Sequence, residues 1–221
     1  MDAARREAVL AALGVERYVP RAARRAAPAP FATGALSWDE LSAAVSGCTR
    51  CALCETRTQT VFGTGDRAAR WFVVGEAPGA DEDRAGEPFV GRAGQLLNAM
   101  LRAIGLARES VYIANVLKCR PPGNRDPRPD EAGECLGYLR RQLALVEPDV
   151  VLCVGRIAAH NLLGTDQALS RLRGRTHELA GLRAPVVVTY HPAYLLRTPA
   201  DKRKAWEDLQ FASEVARGAR A

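Results

Sequence analysis

No stretch of the 221-residue chain approaches the roughly 18 consecutive apolar residues that a membrane-spanning helix needs. The N-terminal segment carries Arg5 and Arg6 but no long apolar run ending in a cleavage site, so no secretory leader is expected. No internal repeat is visible. Histidine is scarce, with three in the whole chain. Six cysteines are present, and in a chain that reads as cytosolic they are not a disulfide framework. Metal ligation or burial remain for them.

The chain is long enough for one domain with a genuine core. Its net charge of +6 and pI near 9.2 favour an anionic partner such as nucleic acid or phosphate. A bias toward Arg and Ala also arises in GC-rich genomes, so charge alone does not decide. Residues 3–13 fit a short amphipathic helix through Val9, Leu10 and Leu13, and Arg21 to Pro30 reads as a linker. Ser37 and Glu40 form a capping box that predicts a helix to about Ser46.

Four short Val/Ile-rich segments predict buried strands: Trp71–Gly75, Val111–Val116, Val150–Val154 and Val186–Tyr190. They do not alternate in polarity, as expected of parallel strands covered on both faces. Helical patterns occupy about 93–104, 130–146, 156–163 and 200–217. The β-α-β-α order implies an α/β fold with helices on both faces of a parallel sheet.

Cys48-x2-Cys51-x2-Cys54 is a dense thiol cluster beside Gly47, suited to a soft metal or an iron–sulfur cluster. Cys119 follows a strand, Cys135 lies in a helix and Cys153 reads as a small core residue. Four thiolates complete a site and five candidates remain. Spacing does not choose between Cys48 and Cys54, nor between iron–sulfur and zinc.

The turn Gly75-Glu76-Ala77-Pro78-Gly79 ends the first predicted strand. The carboxyl ends of strands are where open α/β sheets bind ligands, and Gly and Pro hold Glu76 on a tight backbone. Phe89 lies in a Gly/Pro-rich loop, where an aromatic can stack on a planar base. Asn115 sits in an apolar strand and offers both a donor and an acceptor, enough to read a base edge. His191, after the last strand, suits donation to an oxygen that gains negative charge. His160 and His177 read as structural or solvated. Lys118, Arg120, Arg125 and Arg128 form one group of loop cations, and Arg171, Arg173 and Arg175 another. With Arg197 they suit a phosphate backbone. Leu195 and Leu196 read either as core or as an apolar wedge for unstacking DNA.

With these motifs in order, the chain resembles the family 4 uracil-DNA glycosylases, the iron–sulfur branch of the uracil-DNA glycosylase superfamily. The matching segments are Cys48–Cys51, Arg57-Thr58, Val61–Gly65, Gly75–Gly79, Glu87–Gly94, Asn115–Arg125 and Thr189–Arg197. The resemblance implies a three-layer α/β/α sandwich around a four-stranded parallel sheet. It implies a structural [4Fe-4S] cluster on Cys48, Cys51, Cys119 and Cys135, with Cys54 an extra thiol. The implied reaction hydrolyses the N-glycosidic bond of uracil in DNA, leaving an abasic site after the base is flipped out.

Further roles follow from the resemblance. Phe89 would stack on uracil and Asn115 would pair with its polar edge. The backbone at Glu76 and Ala77 would hold the ring, and His191 would stabilise the departing base. Ala77 stands where another branch of the superfamily has a water-activating Asp. Glu76 would therefore orient water, with Asn124, and Glu82 would support that network. Leu195 would intercalate, with Arg197 on the DNA. The expected partner is single- or double-stranded uracil-containing DNA, bound by a monomer in a bacterial or archaeal cytosol, at the nucleoid when acting, and without membrane contact. Residues 1–35 would be an extension without assigned role and 36–221 the glycosylase domain. An alternative is a uracil-DNA-binding iron–sulfur protein that is non-catalytic or binds covalently through its histidine. The direct run of Gly91-Arg92-Ala93-Gly94 into a helix disfavours the covalent branch, which carries an insertion there.

Overall fold

The computed structural model describes residues 33–219. The helix expected over 3–13 and the linker at 21–30 lie outside them.

A six-stranded sheet runs in the order β1-β3-β2-β4-β6-β5. Its centre is the expected set of four parallel strands: β2 (Trp71–Gly75), β3 (Tyr112–Asn115), β4 (Val150–Val154) and β6 (Leu182–Thr189). Two antiparallel edge strands extend it, β1 (Thr64–Gly65) and β5 (Thr176–Leu179). Both escaped prediction. β1 has two residues, and β5 mixes exposed and half-buried positions with the single buried Leu179, so neither carries an apolar run.

Strand residues alternate between two apolar layers. Phe72, Val74, Val151 and Cys153 face one layer, which also holds Leu139 and Leu143 of α4 (Pro129–Val146) and Ala158 and Leu162 of α5 (Arg156–Leu163). Val73, Ile113, Leu152 and Val187 face the other. That layer holds Leu97 and Leu101 of α3 (Arg92–Ala103) and Leu209 and Ala212 of α8 (Lys202–Gly218). Burial on both faces explains why the central strands read as continuous Val/Ile runs.

Helix α1 (Trp38–Ser46) begins with the predicted capping box: Glu40 N donates to Ser37 Oγ and Ser37 N donates to Glu40 Oε2. Short helices α2 (Ala80–Ala85), α6 (Leu169–Leu172) and α7 (Pro192–Arg197) complete the described elements with several single-turn 3-10 segments. α2 and α7 follow β2 and β6 directly. The carboxyl ends of β2, β3 and β6 therefore lead into the same neighbourhood.

Candidate active site

A cleft of about 440 Å³ opens at these strand ends. Glu76, Ala77, Glu82, Phe89, Asn115, Asn124, His191 and Arg197 all line it. Segments as far apart as the β2 turn and the start of α7 thus converge on one place.

Its floor depends on Gly75. A Cβ there would lie 2.2 Å from Asn115 Oδ1 and 2.6 Å from the Phe89 ring, so only glycine lets both side chains close over the strand end. Asn115 is 2% exposed, and its Oδ1 is buried with no hydrogen-bond partner. Such an acceptor is costly unless something donates to it. Phe89 is also buried, and its ring centroid is 5.7 Å from that of His191.

Glu82 staples two walls together. Its Oε2 accepts from Gly79 N at 3.1 Å, and its Oε1 accepts from Val90 N at 2.9 Å and Gly91 N at 3.0 Å. The carboxylate expected in a water network is thus engaged with backbone on both oxygens.

His191 caps α7. Its Nδ1 accepts from Ala193 N at 3.1 Å, which leaves the ring proton on Nε2. Burial, with a smaller contribution from Arg197, pushes its pKa down to about 4, so the ring is neutral at physiological pH. Glu76 is shifted the other way. Burial, aided by Asp126 and opposed by Arg156, raises it to about 7. Asp126 and Arg156 approach each other to 3.6 Å. Asn124 is exposed, and its Oδ1 accepts from Arg120 Nε at 2.7 Å, leaving its amide nitrogen for other contacts.

Leu195 departs from expectation. It is 1% exposed and packs into the layer with Leu97 and Leu209, so in this structure it has no apolar surface to offer DNA. Position i+4 from His191 points inward on α7. The next residue, Leu196, is 37% exposed, and it precedes the exposed Arg197.

Tyr194 also lines the cleft and was not anticipated, although its place three residues after His191 in a helix opened by Pro192 was a usable signal. Its hydroxyl donates to Asp201 at 2.6 Å, and its ring stacks on Tyr190 at 5.3 Å. The buried pair of Asp208 with Arg173 (2.6 Å), joined by Thr189 Oγ1 at 2.7 Å, braces the end of β6. No local spacing signalled it.

A separate, smaller pocket gathers Cys48, Cys51, Cys54, Cys119 and Cys135, all as free thiols. Cys153 lies in the core. Among the described residues no group of three His, Cys, Asp or Glu converges closely enough to chelate a single ion, so the thiols ring a pocket rather than a point. The donors fit a soft, sulfur-ligated group. Arg57 Nη1 donates to Cys119 Sγ at 3.1 Å, and Glu134, the carboxylate on this pocket, is paired with Arg50. Burial pushes the Cys135 thiol up to about 12, a penalty on the thiolate that a bound cation offsets. Beside it, Lys118 Nζ donates to Asn115 O at 2.9 Å and Gln142 Oε1 at 2.6 Å, tying this pocket to the strand that carries Asn115.

The model of the Uracil DNA glycosylase superfamily matches residues 62–210. The chain is 45% identical over 185 residues to a type-4 uracil-DNA glycosylase of Archaeoglobus fulgidus, covering 81% of this chain and 93% of that protein. It is 42% identical over 175 residues to the type-4 uracil-DNA glycosylase of Thermotoga maritima, covering 78% and 91%. A type-4 uracil-DNA glycosylase of Pyrobaculum aerophilum is 40% identical over 171 residues, covering 75% and 87%.

Proposed function

This chain belongs to the uracil-DNA glycosylase superfamily, and we propose that it removes uracil from DNA by receiving the flipped-out base in the cleft between Phe89, Asn115 and His191. It is a DNA-repair hydrolase that cleaves the N-glycosidic bond and leaves an abasic site, the first step of base excision repair. The alternative of a non-catalytic or covalent binder is not favoured, since the relatives are glycosylases and Gly91 passes directly into α3.

The observation that carries this reading is the unpartnered Oδ1 of Asn115 beside the Phe89 ring. Uracil has an N3–H to donate to that oxygen and an O4 to accept from the same amide. Cytosine presents the opposite pattern at both atoms, so an Asn held in this orientation rejects it. Phe89 covers the face of the ring.

As the bond breaks, negative charge moves onto the base. His191, neutral and with its proton on Nε2, donates to a uracil oxygen without having to lose charge first. Burial raises the pKa of the cleft carboxylate Glu76 close to neutrality, and Glu76 orients the water that attacks the sugar. Asn124 supplies its amide nitrogen to the same end. Ala77 contributes backbone. Glu82 acts by holding the two walls.

Leu196, exposed between the cleft residues Tyr194 and Arg197, is the apolar wedge rather than the buried Leu195, with Arg197 beside it for a phosphate. Cys48, Cys51, Cys119 and Cys135 would hold a [4Fe-4S] cluster, with Cys54 spare. When bound, that group would cross-link the segment after α1, the Cys119 loop and α4. The activity belongs to residues 36–221, acting as a monomer on single- or double-stranded DNA in the cytoplasm. No helix of the described residues is long and apolar enough to cross a membrane.

The test is a uracil-containing oligonucleotide assayed for alkali-labile abasic product. Asn115→Ala should abolish excision, and Asn115→Asp should erode the preference for uracil over cytosine. Full activity in Asn115→Ala would remove the basis of this reading.

A further inference from the structure

Phe89 has a φ of 55°, in left-handed backbone that a bulky side chain seldom adopts. Something must hold it there. From one side, Gly94 packs beneath the turn so closely that a Cβ would lie 1.7 Å from the Phe89 carbonyl oxygen. From the other comes a residue far along the chain. Arg108, in the single turn Arg108–Ser110 that leads into β3, donates through Nη2 to Pro88 O at 2.6 Å and through Nη1 to Phe89 O at 3.2 Å. Nη1 also donates to Asn98 Oδ1 at 3.1 Å, on α3.

We propose that Arg108 is a positioning residue for base recognition, clamping the strained Pro88-Phe89 turn so that the aromatic ring stays over the uracil site. This rests on the reading that Phe89 stacks on the base. Arg108 does not line the cleft, so it acts through Phe89 rather than on substrate. Its three acceptors are neutral oxygens, so a rigid planar fork matters here more than charge. Successive carbonyls reach one guanidinium, which Asn98 holds from behind. Without the fork, both carbonyls lose their donor and the turn can relax toward ordinary φ, carrying the ring away from Gly75.

The experiment is a double-mutant cycle on the full chain, with Arg108→Met, Phe89→Ala and the pair. Single-stranded uracil DNA gives kcat/KM, and inhibition by free uracil probes the pocket without DNA. Arg108→Met should lower kcat/KM roughly 10- to 50-fold and weaken uracil inhibition. The double variant should fall within about 3-fold of Phe89→Ala alone, because Arg108 acts only through the ring that Phe89→Ala removes. Arg108→Lys should recover only part of the loss. Asn98→Ala, which leaves both turn carbonyls their donor, repeats the cycle in milder form if Arg108→Met does not fold. Multiplicative losses in the double variant, or an Arg108→Met enzyme within about 2-fold of the parent, would overturn the inference. Unchanged activity in Phe89→Ala is a different result and would sink the stacking role itself.

Discussion

Ala193 N donates to Nδ1 of His191 across 3.1 Å, and this bond decides which ring nitrogen carries the proton. The helix that starts at Pro192 thereby aims a neutral N–H donor rather than an acceptor. Burial and Arg197 keep that ring uncharged down to about pH 4. His191→Ala should therefore lower kcat by roughly 100- to 1000-fold, the scale of a lost oxyanion donor. The parent enzyme should show no rate change near pH 6.5 from this histidine. A histidine titration near pH 6.5 in an NMR experiment would contradict the assignment.

Glu76 makes the opposite prediction. Its pKa of about 7 means that excision should rise with pH through about 7 as the carboxylate forms. Glu76→Gln should lose that limb and roughly 10- to 100-fold in rate. A pH–rate profile of parent and variant measures both. An unchanged acid limb in Glu76→Gln would assign the ionisation elsewhere.

The two residues also pull stability in opposite directions. Glu76 has a folded pKa above its ordinary 4.5, so its contribution is fully present below about 4.5 and is lost as pH rises through about 7. His191 has a folded pKa below its ordinary 6.5, so its contribution is present above 6.5 and is lost as pH falls through about 4. Between about 4.5 and 6.5 the slopes oppose and largely cancel. Glu76→Gln should unmask the histidine slope and stabilise the protein increasingly with pH, up to about 3 kcal/mol above pH 7. Urea unfolding at pH 5, 6 and 8 checks the trend.

Leu195 and Leu196 should separate cleanly. Leu195→Ala empties a core site and should cost about 2–5 kcal/mol of stability. Leu196→Ala should leave unfolding nearly unchanged while reducing excision from duplex DNA about 10-fold more than from single strands, where no stack must be opened. The reverse pattern would return the wedge to Leu195.

Among the cysteines, Cys119→Ser and Cys135→Ser should abolish the brown absorbance near about 400 nm expected of an iron–sulfur cluster, and should lower stability. Cys54→Ser should keep colour, iron and sulfide. Cys119 and Cys135 are buried in that pocket, whereas Cys54 is half-buried and spare in the proposed ligand set. A colourless protein that retains zinc would exclude the cluster.

Much of this site was legible beforehand because its signals are local. The capping box at Ser37, the Val-rich strands and the Gly75–Gly79 turn each depend on neighbours a few residues away. Glu76, Asn115 and His191 sit at element ends and Phe89 in a Gly/Pro-rich loop, where the same local signs place them. Two adjacent leucines, Leu195 and Leu196, look alike in sequence, and only the rotation of α7 against α3 and α8 tells which one faces in. Arg108 left no sign at all. Its partners lie ten to twenty residues upstream, and nothing about an arginine announces that it binds carbonyls.

By itself the sequence determined the layered α/β order, the chemical kinds of side chain at the strand ends and the thiol-rich segments, since periodicity and spacing act over a few residues. Tertiary structure alone decided that Asn115 Oδ1 has no partner, that Glu76 and His191 shift in opposite directions and that Glu82 and Arg108 hold the walls. Burial, protonation and clamping depend on contacts between segments distant in the chain, and those exist only once the sheet has brought the strand ends together.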